Sequence, residues 1–211
     1  MTHSFDKDYW ERHWEQSHGD ASADAGGTPP NPYLTREVGG LEPGTALDAG
    51  CGTGAEATLL ASYGWQVTGV DISGAALAKA SERAAEQSVS DRLTWVEADL
   101  TVWEPGHRFD LVATSYAHPA MPQLAFYERI SEWVAPGGTL LIVGHLHGGA
   151  ATGNGHTPPA EATITLTDIK ERLGSSVWRI ETAAEQPRTM AGAGGRLHEL
   201  RDVILRATRL R

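Results

Sequence analysis

From Thr45 onward, short apolar runs alternate with longer segments of helical spacing. The runs Ala46–Ala49, Gln66–Val70, Leu93–Glu97, Leu111–Thr114 and Thr139–Val143 have the length of strands. Between them, Ala55–Tyr63 and Ser73–Gln87 are rich in Ala, Leu and Glu, and Leu124–Val134 repeats apolar residues at helical intervals. Strands that alternate with helices predict an α/β domain, a largely parallel sheet with helices on both faces.

The rhythm changes after the fifth run. Residues Gly144–Ala160 form a Gly- and His-containing stretch too long for a plain connection, so it is a candidate functional loop. A short helix follows, with Thr167 as its expected N-cap, running through Asp168 to Leu173 and stopping at Gly174. Two last strands, Trp178–Ala184 and Glu199–Thr208, succeed each other without a helix between them and should therefore pair antiparallel. At the other end, Phe5–Gln16 places Trp10 and Trp14 four residues apart, on one helical face. The Gly-, Ser-, Asp- and Pro-rich segment after it is loop-like, and NPYLTREVGG reads as a second short helix ending at Gly39 and Gly40. Nothing upstream of Thr45 is large enough to be a domain. Residues 1–211 thus read as one unit, with a helical lid over 1–40, a core over 45–145 and a substrate-side loop over 144–160.

Composition narrows the partners. A net charge of −10 would repel a phosphate backbone unless a basic stripe compensated, so no nucleic acid is expected. Arg196, Arg201, Arg206, Arg209 and Arg211 gather near the end, where a solvated face is the commoner explanation. Cys51 is the single cysteine, which excludes an internal disulfide framework and fits a cytoplasmic setting. No apolar run reaches about 18 residues, so no membrane span is expected.

Chemistry concentrates in LDAGCGTG, Leu47–Gly54, at the junction of the first strand and the first helix. Glycines there let the backbone turn tightly, and a helix start offers unpaired amides to an anionic group. The residues alone specify an anion or nucleotide site; Gly50–Ala55 also passes as the G-x-G-x-x-A of dinucleotide-binding proteins.

LDAGCGTG, followed in order by GVDIS, EADL, FDLVATSY and APGGTLLIVG, resembles the motif series of class I S-adenosylmethionine-dependent methyltransferases over Leu47–Gly144. That resemblance implies a three-layer fold with a seven-stranded sheet in the order 3-2-1-4-5-7-6, strand 7 antiparallel. It implies S-adenosyl-L-methionine as cofactor, with S-adenosyl-L-homocysteine as product. Asp48 would help neutralise the methionine ammonium, with Gly50, Cys51, Gly52 and Gly54 lying against the methionine portion and the ribose. Asp71 would grip the ribose hydroxyls, Ile72 would pack on the adenine face, and Asp99 with the Leu100 amide would read the adenine edge. Bland alternatives remain for each: a loop-bonded Asp48, an Asp71 that caps a helix, an Asp99 that merely turns the chain. Cys51 is explained by its small size.

In an open sheet the ligand lies beyond the carboxyl ends of the strands. Thr114 and Ser115, closing the fourth strand, then border the donor. Tyr116 and His118 after that strand, and His145 and His147 after the fifth, face the reacting methyl. Imidazole can take a proton at neutral pH, so His118, His145 and His147 are candidate general bases, with Tyr116 beside them. A polar pocket rim explains any one of them equally well. No carboxylate completes a familiar ligand set, so no metal is expected. YWERHW followed by GGTPPNPYL is similar to the lid of thiopurine- and thiol-type methyltransferases, in which Trp14 would cover the donor's methionine side. The combined expectation is methyl transfer to a hydroxyl, nitrogen or sulfur of a small aromatic or heterocyclic molecule, by a monomer or homodimer. Thiol S-methylation is the near alternative. Nicotinamide-dependent oxidoreduction and non-catalytic binding of the donor are the rivals from other classes.

Overall fold

The computed structural model describes residues 5–16, 29–146, 163–191 and 197–210. After helix α1 (Lys7–Gln16) and the short α2 (Leu34–Val38), the chain runs β1 (Thr45–Ala49), α3 (Ala55–Ser62), β2 (Gln66–Asp71), α4 (Gly74–Glu86) and, past a single 3₁₀ turn, β3 (Leu93–Glu97). It continues with β4 (Phe109–Ser115), α5 (Gln123–Ser131), β5 (Val134–Leu146), β6 (Thr163–Ile164), α6 (Leu166–Leu173), β7 (Trp178–Ala191) and β8 (Leu197–Arg209). The main path of the sheet is β3-β2-β1-β4-β5-β8-β7. β8 is antiparallel to both β5 and β7, and the other pairings on that path are parallel. This is the expected seven-strand order, with β8 in the place of the antiparallel seventh strand. The two-residue β6 beside the end of β5 was not anticipated.

Alternation along the strands makes the three layers. Leu47, Val112, Leu140, Ile142, Val203 and Leu205 face α5 and α6, where Phe126, Ile130, Ile169 and Leu173 meet them. Their neighbours Ala46, Leu111, Ala113, Leu141, Val143 and Ile204 face the other way, onto Leu34, Val38, Ala57, Leu60 and Ala61 of α2 and α3. Two apolar faces buried on opposite sides of one sheet make register obligatory, because a one-residue slip would exchange them.

Three details differ from expectation. Helix α6 starts two residues earlier than predicted, capped by Thr165 rather than Thr167: the Thr165 hydroxyl accepts from Asp168 N while the Asp168 carboxylate bonds back to Thr165, a reciprocal capping box. Helix α5 stops at Ser131, and β5 begins at Val134, paired with Phe109; the ladder then skips Ala135–Gly138 and resumes with Leu111 opposite Thr139. A Cβ on Gly138 would lie 2.9–3.0 Å from the carbonyls of Ala135, Asp110 and Phe109, so only glycine closes that bulge. Two of the C-terminal arginines, Arg206 and Arg209, are not simply solvated, whereas Arg201 is exposed and Arg196 and Arg211 lie outside the described residues. Arg206 donates to Glu37 O (2.6 Å), and Arg209 Nη1 donates to the carbonyls of Ser131, Glu132 and Val134, so both stitch helix ends to the sheet.

On β2, Gly69 leaves room for Trp95. A Cβ there would stand 2.4 Å from the Trp95 ring and 3.1 Å from Cys51 Sγ. Gly69→Ala is expected to destabilise the protein by about 1–3 kcal/mol through overpacking, read as a lower urea midpoint at unchanged slope.

Candidate functional site

At the carboxyl edge, β1 runs into a turn in which Gly50, Gly52 and Gly54 all take positive φ (77°, 49° and 72°). Gly50 N and Cys51 N donate to Val70 O, tying the turn to β2, and Gly54 opens α3. The turn is also confined from both sides. A Cβ on Gly52 would lie 3.1 Å from the Trp14 ring, and one on Gly54 would lie 2.7 Å from the Trp95 ring and 2.8 Å from Ala80 Cβ. Trp95 is a buttress that pattern reading had placed only as a strand residue.

Carboxylates gather around this turn. Asp71 ends β2 and accepts from Gly52 N (2.8 Å) and Ser73 N (3.0 Å). A carboxylate offers about four acceptor positions, so it keeps capacity for further donors. Burial raises its pKa, with the hydrogen bonds from Ser73 and Gly52 working against the rise. Asp48 is fully buried on β1, and its Oδ2 has no hydrogen-bond partner among the described residues. Burial, then the charge of Glu56, holds its carboxyl well above the ordinary range. Glu56 accepts from Asn31 N (2.9 Å), and Asn31 Nδ2 donates to Ser115 Oγ (2.8 Å), which ties the segment before α2 to the end of β4. A buried acidic oxygen with no donor in reach is the chemistry of a cation's seat.

Past β3, Asp99 Oδ1 accepts from Thr101 N (2.8 Å), while the Leu100 amide has no acceptor among the described residues. Ile72 is half-buried next to Asp71. Thr114 is buried and donates its hydroxyl proton to Ala49 O (2.8 Å), so its side chain joins the strands.

Helix α1 lies across this edge. The Glu11 carboxylate accepts from Ser73 Oγ (2.9 Å), Gly74 N (2.8 Å) and Ala75 N (3.2 Å), where the first-turn amides of α4 have no helical partner. Burial opposes the charge, yet these bonds hold the carboxyl below its usual range. Lys7 pairs with Glu97, and Lys79 donates to Trp14 O (2.6 Å). Trp14 is thereby set on the glycine turn, while Trp10 Nε1 donates to His118 O (3.2 Å).

Beyond the turn, β4 and β5 bring three of the four expected acceptor-side residues together. Tyr116 and His145 stack with centroids 4.7 Å apart, and His118 lies 5.7 Å from His145. His147 lies outside the described residues, as does nearly all of the loop that follows it. Burial lowers the pKa of His118, against a hydrogen bond to Gln123. Burial, then His118, brings His145 down to about 4, against the pull of Asp202. Tyr116 has φ +55°, unusual for a side chain of its size and typical of strained functional positions. Its hydroxyl donates to Asp202 Oδ2 (2.9 Å), and burial pushes its pKa far up. Tyr33 and Arg188 converge on the same carboxylate. Reading along the chain missed Glu11, Asn31, Tyr33, Glu56, Arg188 and Asp202 as site residues; only Asp202, an acid inside the apolar run of β8, carried a local signal. The described residues contain no cluster able to hold a metal ion and no helix long and apolar enough to cross a membrane.

A family model for a methyltransferase domain matches residues 46–138. The probable thiol methyltransferase 2 of Arabidopsis thaliana is 31% identical over 145 residues, 64% of this chain and 60% of that protein. Thiocyanate methyltransferase 1 of Brassica oleracea is 29% identical over 191 residues, 89% of this chain and 80% of that one. The chain thus aligns with only about 60% of the length of the Arabidopsis relative. In three dimensions it is similar to the N-methyltransferase NodS of Bradyrhizobium japonicum in complex with S-adenosyl-L-homocysteine, with TM-score 0.67 and 15% identity over 96% of this chain and 99% of that one.

Two outcomes follow from this geometry. Glu11→Ala removes the acceptor of three hydrogen bonds and is expected to speed amide exchange across residues 7–16 about tenfold or more, since bonds to a charged group contribute about 1.5–3 kcal/mol each. His145 has a folded-state pKa of about 4, below the value of about 6.5 for an unfolded histidine. The unfolded chain therefore binds more protons between those values, and stability declines as pH falls through that window. His145→Gln should make the stability–pH curve flatter there by about 3 kcal/mol, measured by urea unfolding at stepped pH.

Proposed function

We propose that the chain is a class I S-adenosylmethionine-dependent methyltransferase, a reading that the methyltransferase-domain match over 46–138 and the relatives support, and that it transfers a methyl group to a hydroxyl, nitrogen or sulfur of a small aromatic or heterocyclic acceptor. The observation that carries this reading is the buried Asp48 Oδ2, left without a donor among the described residues, beside a turn in which Gly50 and Gly54 have no room for a β-carbon. An α-ammonium group is the complement that oxygen needs. Bound there, S-adenosylmethionine supplies a methyl group on a positively charged sulfur and leaves as S-adenosylhomocysteine.

The chain's own residues then have these tasks. Asp48, with Glu56 close by, faces the ammonium. Asp71 accepts from the ribose hydroxyls, Ile72 covers the adenine face, and Asp99 and the Leu100 amide meet its edge. Gly50, Cys51, Gly52 and Gly54 give the methionine portion close backbone contact, Thr114 and Ser115 border it, and Trp14 presents an aromatic face to the sulfonium, an attraction of about 0.5–2 kcal/mol. The acceptor enters between α1 and the ends of β4 and β5. Holding its nucleophilic atom in line with the methyl and excluding water is worth about 7–11 kcal/mol. An acceptor that carries a proton must also lose it. His118 and His145, both kept neutral by burial, can take it, which adds about 10²–10⁴-fold, with His147 the further candidate. Tyr116 stays protonated and positions rather than deprotonates.

Sulfur acceptors form the second reading, favoured by the thiol and thiocyanate methyltransferases among the relatives. Cytoplasmic residence, a monomeric or homodimeric state and the absence of a nucleic-acid partner belong to the same proposal; the net charge of −10 supports the last.

Calorimetry on ligand-stripped protein tests the donor site. Both S-adenosylmethionine and S-adenosylhomocysteine should bind. A cation beside Asp48 lowers its raised pKa, so binding should release protons, and the measured heat should vary with the buffer's ionisation enthalpy. Asp48→Asn should weaken binding about tenfold or more, the order of about 1.4 kcal/mol, and suppress that variation. An absence of heat with either ligand would overturn the proposal. Turnover with benzenethiol, hydrosulfide, thiocyanate and a set of phenols then separates sulfur from oxygen acceptors.

A further inference from the structure

Among the described residues, Asp202 is the most completely buried acid that already has its counter-ion, and four side chains from separate parts of the chain, Tyr33, Tyr116, His145 and Arg188, surround it. Its Oδ2 accepts from Tyr33 Oη (3.0 Å), Tyr116 Oη (2.9 Å) and Arg188 Nε (2.7 Å). The other oxygen, Oδ1, has only a long contact from Arg188 Nη2 at 3.5 Å. Arg188 also lies over the Tyr116 ring, 4.9 Å from its centroid. The crowding is one-sided: one oxygen is saturated and the other is nearly bare.

The bare oxygen faces His145. Nδ1 of that ring stands 3.9 Å from Asp202 Oδ1, sealed from solvent and without a hydrogen-bond partner among the described residues. The ring is not wholly enclosed, since the side chain as a whole remains 17% exposed. An Nδ1 lone pair aimed at a carboxylate oxygen is repelled, whereas an Nδ1–H is attracted, and a shift of about 1 Å would complete the bond. Hydrogen bonds of this kind are often long before substrate binds.

We infer that Asp202 is a positioning residue for the reaction: held by Arg188, Tyr33 and Tyr116, it fixes His145 as the Nδ1–H tautomer and leaves Nε2 as the nitrogen that takes the acceptor's proton. The inference rests on the methyl-transfer reading above. In the step, X gives its proton to Nε2 and takes the methyl group, while the electron pair of the broken S–CH₃ bond stays on sulfur, which leaves as the neutral thioether S-adenosylhomocysteine. His145 becomes an imidazolium between two nitrogens, one facing product and one facing Asp202 Oδ1, which stabilises the charge. The other groups facing the ring are the Tyr116 phenol, stacked upon it, His118, and the guanidinium of Arg188. The guanidinium opposes an imidazolium, so the full negative charge of Asp202 is needed to offset it.

The tautomer is readable in the unmutated protein. Histidine-selective ¹⁵N NMR of the full chain at pH 7, with the His145 signals assigned by their absence in His145→Gln, should show Nδ1 protonated and Nε2 free. A folded wild-type protein with Nε2 protonated would overturn the inference, and this arm needs no variant to fold. Asp202→Asn, checked for folding by circular dichroism, should shift His145 towards the other tautomer and lower turnover tenfold or more at unchanged donor affinity. Turnover is read with the fastest phenol of the panel above, an acceptor that keeps its proton at pH 7. A folded Asp202→Asn protein with full turnover overturns the inference whatever its tautomer. Failure of the donor to bind would instead bring down the methyl-transfer reading and leave the tautomer result standing.

Discussion

The turn after β1 has to pass between two tryptophans. Trp14 of α1 crowds Gly52, where a β-carbon would stand 3.1 Å from its ring, and Trp95 presses on Gly54 from β3 at 2.7 Å, which leaves no room for one. Everything at the carboxyl edge depends on that squeeze, because it fixes the height at which the loop amides and the neighbouring carboxylates stand. Asp71 then bonds Gly52 N from one side, and Glu11 carries α1 across to the start of α4 from the other. A bulkier turn would displace the lid and the sheet edge together.

Two buried acids divide the site between them. Asp48 has an oxygen with no partner, an arrangement that costs free energy unless a ligand supplies the missing positive charge. Asp202 has its cation built in and passes the constraint along to two tyrosines and a histidine. The first is incomplete without a ligand, as suits a binding determinant. The second is already assembled, as suits a group whose work is orientation. They lie on β1 and β8, and the strands between them are β4 and β5.

Local strain and local bonding coincide where chemistry is expected. Tyr116 adopts a left-handed backbone conformation that its side chain disfavours, and the Asp202 hydrogen bond together with the stacked His145 and Arg188 holds it there. The glycines reach similar φ values without that cost. A relaxed glycine turn and a restrained tyrosine thus follow neighbouring strands, β1 and β4.

The order of strands and helices, the two apolar faces and the glycine turn were all legible along the chain, because each depends on residues within a few positions of one another. LDAGCGTG bends where its glycines are, and alternating residues in β1, β4 and β5 face opposite layers in any context. His118 and His145 could be named because they stand at or just past strand ends, where parallel sheets open to ligands, while Asp48 and Asp71 were named through the resemblance of the motifs that contain them. Tertiary structure alone decided which of those groups meet. Tyr33 and Asp202 are 169 positions apart, Glu11 and Gly74 are 63 apart, and no local pattern encodes such encounters. They follow from the crossover of β8 between β5 and β7 and from the path of α1 over the sheet edge. Local periodicity settles how a segment folds, whereas a hydrogen bond between distant side chains exists only after the packing of the whole has brought them within reach.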